Sequence, residues 1–172
     1  MKKFLLIVTV LCLLLSLAAC GGTGSETGGN ASGNTITVPE DTFTFQYKGT
    51  KIQFHAAAEP IIAALGEPVK YTESASCAFQ GLDKSYYYGS FYLETYPDGD
   101  KDYVYGWWFA DDSVATEEGI YIGATQAEVE NAYGTEGFNG TNAYVVKRDS
   151  GSLTIILKDG VVSSIQYAIN VD

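Results

Sequence analysis

A short apolar helix pattern, closed by a glycine and followed by strands, is written twice in this chain. "AAAEPIIAALG" spans Ala56–Gly66 and "ATQAEVENAYG" spans Ala124–Gly134. With the two glycines aligned, Ile61 falls on Val129, Ala64 on Ala132 and Leu65 on Tyr133. Each set is spaced i, i+3, i+4, which is one face of a helix. Thr125 with Glu128 three positions on forms a capping box, since hydroxyl and carboxylate satisfy each other's exposed backbone donors. In the first copy Pro60 stands where the second has Glu128, still inside the first turn, where a missing N–H does no harm. Gly66 and Gly134 then stop each helix by taking a backbone that a side chain would resist.

Helices of two or three turns do not persist alone, because nucleation is costly. They need a sheet to lie on, and each glycine is followed by one. "GSFYLETYPDG" (Gly89–Gly99) and "GSLTIILKDG" (Gly151–Gly160) repeat the same strand and turn. The spacing predicts a variable first strand in copy one, at Ala75–Phe79 or Tyr86–Tyr88, running into Phe91–Tyr96. A turn at Pro97–Lys101 and a strand at Tyr103–Phe109 complete that copy. In copy two it predicts strands at Ala143–Lys147 and Leu153–Lys158, a turn at Asp159-Gly160, and a strand at Val161–Ile169. The expected fold class is α+β, a tandem repeat of short helix plus antiparallel strands with the helices on one side of the sheet. The first α/β repeat covers residues 38–112; the acidic connector from Asp111 to Gly119 leads into the second, within residues 113–172.

The helix ending in "ALGEP", the strand "YVYGWWF", the link "DDSVATEEGI" and the second "IGATQAEVENAYG" resemble a family of lipoproteins found in clostridia and related bacteria, largely without assigned function. Their halves resemble the helix–sheet unit of the β-lactamase-inhibitor-protein fold, also seen in small outer-membrane assembly lipoproteins. The resemblance covers roughly residues 48–172. It implies a protein that binds other proteins, since the inhibitor does so through an aromatic-rich concave sheet. No inhibitory loop or inserted acidic contact carries over residue by residue, so β-lactamase inhibition is not implied.

The first forty residues address location. Lys2 and Lys3 precede an apolar run from Phe4 to Leu15, and Leu17-Ala18-Ala19-Cys20 closes it. A charged start, a greasy middle and a small-residue end make an export signal, and the run falls short of the ~20 apolar residues of a stable span. Leu-Ala-Ala-Cys resembles the bacterial lipobox, which implies a signal peptide at 1–19 and a lipid anchor on Cys20. The alternative is a secreted protein cut near Ala19. From Gly21 to Asn34 no side chain is apolar and larger than alanine, so residues 20–37 read as a lipidated cysteine and a tether of Gly, Ser, Thr and Asn. Such a coil reaches ~20 Å. The expected location is therefore the outer side of a cell membrane, with the folded part held at the cell envelope.

Net charge is −11, and loss of residues 1–19 removes two lysines and no acid, leaving 8 basic against 21 acidic residues, or −13. The basic footprint of a nucleic-acid binder is absent. Past Cys20 only Cys77 remains, in the apolar setting Ser76-Cys77-Ala78-Phe79, which reads as a buried spectator thiol. Convergent chemistry is sparse. There is one histidine, His55, just ahead of the first helix, and no zinc-spaced cysteine pair, H-E-x-x-H or G-x-S-x-G. Asp98, Asp100 and Asp102 imitate the opening of a calcium loop, but the sixth and twelfth places hold Tyr103 and Phe109 rather than Gly and Glu. Neither an enzyme, a cofactor nor a metal site is expected.

What the chain does have is aromatic surplus: 13 tyrosines and 2 tryptophans. Strand side chains alternate between faces. If Phe91, Leu93 and Thr95 face the helices, Tyr92, Glu94 and Tyr96 take the other side, and Tyr86 and Tyr88 join them if no bulge intervenes at Gly89-Ser90. On the next strand either Tyr103, Tyr105, Trp107 and Phe109 or Val104 and Trp108 face outward. The candidate binding face is therefore Tyr86, Tyr88, Tyr92, Tyr96, Tyr103, Tyr105, Trp107 and Trp108. Such rings anchor protein partners, stack on sugars or simply stabilise the sheet across strands. The expected partner is a protein or peptide; the alternatives are a glycan or small ligand, or a purely structural, self-associating role.

Overall fold

The computed structural model describes residues 41–138 and 140–171. The segments expected to be a signal peptide, a lipidated Cys20 and a tether fall outside those residues. Among the described residues no helix is long and apolar enough to cross a membrane.

The described chain is α+β, nine strands and two helices. A hairpin comes first: β1 (Thr44–Tyr47) and β2 (Thr50–Gln53), antiparallel, a two-stranded sheet of their own. Lys48 and Gly49 turn it, with φ of 49° and 85°, the backbone that a two-residue hairpin of right-handed twist requires. The repeat alignment did not disclose this hairpin. Its signal was nevertheless present, as Phe43, Phe45 and Tyr47 alternating with polar residues ahead of Lys-Gly.

Helix α1 (Ala58–Leu65) follows, then β3 (Lys70–Ala75), β4 (Leu82–Tyr87), β5 (Phe91–Asp98) and β6 (Lys101–Phe109). Helix α2 (Gln126–Tyr133) leads into β7 (Ala143–Arg148), β8 (Gly151–Lys158) and β9 (Val161–Ile169). Seven strands form one antiparallel sheet in the order β3-β4-β5-β6-β9-β8-β7. Two meanders therefore meet at β6 and β9, across Gly106↔Ala168, Trp107↔Tyr167 and Trp108↔Gln166.

The segments entering the helices are built alike. Ala57 bridges Tyr103 and Thr125 bridges Val161. Val104 N donates to Ala56 O at 2.9 Å, and Val162 N to Ala124 O at 2.7 Å. His55 N donates to Val104 O at 3.0 Å, and Gly123 N to Val162 O at 2.8 Å. Each helix start is thereby stapled to the head of a late strand. The capping box at Thr125 and Glu128 is present; α1 has no side-chain cap. Gly66 and Gly134 close their helices at φ 82° and 81°, with ψ near extended rather than left-handed helical, a region that only glycine enters readily.

One core unites these parts. Phe45 and Ile52 of the hairpin, Ile61 of α1, Val129 of α2, and Phe91, Leu93, Val104, Trp107, Leu153, Ile155, Ile165 and Tyr167 of the sheet are buried together. The matched helix residues Ile61 and Val129 thus do the same work. Trp107 lies at the centre, its ring centroid 4.9 Å from Phe54 and 4.7 Å from Tyr167.

Two expectations need correction. Residues 75–79 are not a strand: β3 ends at Ala75 and a turn follows, held by Ser76 Oγ accepting from the backbone N–H groups of Ala78 and Phe79. Cys77 sits in that turn and is exposed, not buried, because β3 is an edge strand whose six residues are all exposed and no layer covers its tip. The connector is also pinned. Thr116 is buried, and Tyr133's hydroxyl lies 2.8 Å from Thr116 Oγ1 while donating to Glu118 Oε2 at 2.6 Å.

Candidate functional site

The register decides which aromatics share a face. A two-residue turn at Gly89-Ser90 joins β4 to β5, with Tyr88 N donating to Phe91 O at 2.9 Å. Across such a turn residue numbers pair with an odd sum, so Tyr86 lies opposite Leu93 and Tyr87 opposite Tyr92. Tyr86 and Tyr88 therefore share the side of Leu93 and Phe91, not that of Tyr92. Tyr88 is buried and stacks on Phe91 at 5.4 Å; Tyr86 is half-buried at the margin of the core.

Tyr96 keeps the parity of Tyr92, yet it is 6% exposed. Phe79 stacks on it at 4.5 Å and its hydroxyl meets His55 Nδ1 at 2.9 Å. Burial lowers the pKa of that imidazole, so His55 serves as a neutral partner in a packed contact. Tyr103 is half-buried against the core beside Ala57. Trp107 is completely buried, which takes it off any accessible face.

Three of the eight candidates remain on the opposite side: Tyr92, Tyr105 and Trp108, all half-buried. Tyr87, which parity alone had left out, joins them. Its ring stacks on Tyr92 at 4.5 Å, and Tyr92 stacks on Trp108 at 4.1 Å with planes 16° apart. Three strands thus carry one continuous ladder of rings. Past Trp108 the same cross-strand row continues through Gln166 and Thr154 to Val145. Polar and small residues take over there, so the aromatic part belongs to the first meander.

A bulge accounts for Tyr105. The β5–β6 register slips between Glu94 and Thr95, leaving Glu94 opposite Gly106 and Thr95 opposite Val104. Tyr105 is the extra residue, and a bulge of this kind re-aims a side chain. It lines a groove of ≈ 410 Å³ beside the ladder, with Glu73, Asp83, Ser85 and Glu94 among its walls. Burial raises the pKa of Glu94; the Trp108 indole works against the rise and the charge of Asp83 adds to it. Trp108 Nε1 nevertheless lacks hydrogen-bond geometry to any acceptor, and it is sealed from solvent, as is the equally unpaired Asp83 Oδ1.

The arrangement offers apolar ring edges next to unsatisfied polar atoms. Ring faces inside the ladder are used up on one another. A sugar needs a free face to stack on, so the geometry is better matched to a surface that meets ring edges and hydroxyls. The hairpin Asp98–Lys101 holds no cluster for a cation: Asp102 is bound to Lys84 Nζ at 2.6 Å. Among the described residues no three His, Cys, Asp or Glu side chains gather closely enough to hold a metal. Comparison of the chain with protein-family models, curated proteins and solved structures finds no match.

Proposed function

We propose that this chain is a membrane-anchored extracytoplasmic lipoprotein, non-catalytic, that docks a protein or peptide partner on the aromatic side of its sheet. The scaffold is a duplicated helix-and-meander unit of the β-lactamase-inhibitor-protein-like type, with both helices on one side. Support for the duplication comes from equivalent staples at Ala57 and Thr125, from the matched burial of Ile61 and Val129, and from strand order mirrored about β6–β9. Support for the location comes from the lipobox-like Leu17–Cys20.

The observation that carries the docking reading is the Tyr87–Tyr92–Trp108 ladder, three large rings held half-buried on the side away from the core. Tyrosine and tryptophan in such a setting are the residue types that dominate protein interfaces. A photo-crosslinking side chain placed at Gln166, next to Trp108, tests it on intact cells. A discrete adduct is expected from Gln166 and none from Glu59 on α1. The adduct should vanish when Tyr92 and Trp108 are both changed to alanine in a chain that still folds. Equal labelling from both sides, or none, overturns the proposal.

A further inference from the structure

The groove beside the ladder is the feature that says most about the partner. Its walls carry three carboxylates, Glu73, Asp83 and Glu94, from three adjacent strands. The one cation among them, Lys84, has its ammonium bound to Asp102 and acts on Glu73 through its charge alone, which leaves Asp83 and Glu94 without a bonded cation. Two details show that the groove is unsatisfied rather than merely acidic. Asp83 Oδ1 is an acceptor without a donor, so this half-buried carboxylate gains a bond by turning toward one. Glu94 is held largely out of water against the Trp108 indole. Ser85 and Tyr105 add hydroxyl oxygens to the same walls.

Resting on the docking reading above, we infer that this groove receives an arginine side chain of the partner, its guanidinium donating to Asp83 and Glu94 beside the aromatic ladder. The chemistry selects guanidinium over other groups. It has five N–H donors and no acceptor, and its planar fork spans two carboxylates. An ammonium offers only a compact, strongly hydrated point charge. The formal charge of −11 steers a basic segment toward the chain from a distance.

The chain has two indole N–H groups, Trp107 in the core and Trp108 beside the groove residue Glu94, so the probe is built in. N-acetylarginine amide is titrated into the full chain in detergent micelles while both indole N–H resonances are followed by NMR, with Trp108→Phe identifying them. The Trp108 signal is expected to move to saturation and the Trp107 signal to stay. The lysine analogue should bind more weakly, and the neutral citrulline analogue should not bind. Asp83→Asn should weaken the arginine response about tenfold or more, the scale of one charge-assisted hydrogen bond. Glu94→Gln serves in the same role if Asp83→Asn does not fold. An unmoved Trp108, an equal response to citrulline or lysine, or an unchanged affinity in the variants overturns the inference. The crosslink at Gln166 is read separately: an adduct without an arginine response removes this inference alone, whereas loss of the adduct removes the docking reading beneath it.

Discussion

At the scale of single residues, His55 shows how a position can look chemical and be structural. It aligns with Gly123 when Gly66 is set on Gly134, and both take positive φ, 59° and 104°. The chain must bend there to enter a helix, and ahead of α1 a histidine tolerates the bend while its ring finds Tyr96. The residue with the more telling titration is Glu94. Burial holds its pKa above the ordinary 4.5, so the folded chain grips this proton more tightly than the unfolded chain does. The resulting stability is fully present below the unfolded value and is lost as pH rises through the folded one. Wild type should therefore lose ground to Glu94→Gln as pH rises from the ordinary 4.5 through the higher folded-state value, a trend read from urea midpoints of the two proteins. A constant difference across that range would show that Glu94 titrates as if in water. Local chemistry of this kind was only partly legible beforehand. The capping residues and stop glycines are short-range and could be read; the environment of Glu94 depends on Asp83 and Trp108 from neighbouring strands and could not.

At the scale of elements, the two helices differ in how their starts are satisfied. Thr125 and Glu128 cap α2 reciprocally, the carboxylate accepting from Thr125 N at 2.7 Å. At its other end, Tyr144's hydroxyl sits 2.7 Å from Tyr133 O and 2.9 Å from Gly134 O, supplying a donor to carbonyls the helix leaves open. Helix α1 has neither device, and Ala57 at its cap is exposed. Thr125→Ala should cost about 1 kcal/mol, and Ala57→Ser should recover a fraction of that in the other half. Both are read from denaturant titrations with unchanged slope. If Thr125→Ala is neutral, the bridge to Val161 alone holds the helix start. The long strands β5, β6, β8 and β9 were legible because apolar alternation marks them. Strand β3 was not: all six of its residues are exposed, so no burial pattern distinguishes it from a loop, and only pairing with β4 makes it a strand.

At the scale of the whole molecule, the junction of β6 and β9 decides how the halves behave. The sequence repeats suggested two units but not which strands would meet, because that pairing joins residues about sixty positions apart and leaves no local mark. The contact is close. A Cβ on Gly106 would lie 2.1 Å from Tyr167 O, so the two strands approach there only because β6 carries a glycine. Immediately beside it, Trp107 fills the centre of the shared core while Trp108, its chain neighbour, points into the ladder on the other side. Two adjacent tryptophans therefore face opposite sides of the sheet. Trp107→Ala should cost about 3–5 kcal/mol, the scale of emptying a buried aromatic site. Both halves should then melt together at a lower temperature, since they pack on the same ring. Trp108→Ala should cost about 1 kcal/mol, the scale of a cross-strand aromatic pair, while abolishing the Gln166 crosslink. Thermal unfolding followed by near-ultraviolet circular dichroism, alongside the crosslinking assay, separates the pair. Two resolved transitions in wild type would mean that the halves do not share a core. An equal stability loss from the two substitutions would mean that Trp108 is packing rather than surface, and the ladder would then have no face to offer a partner.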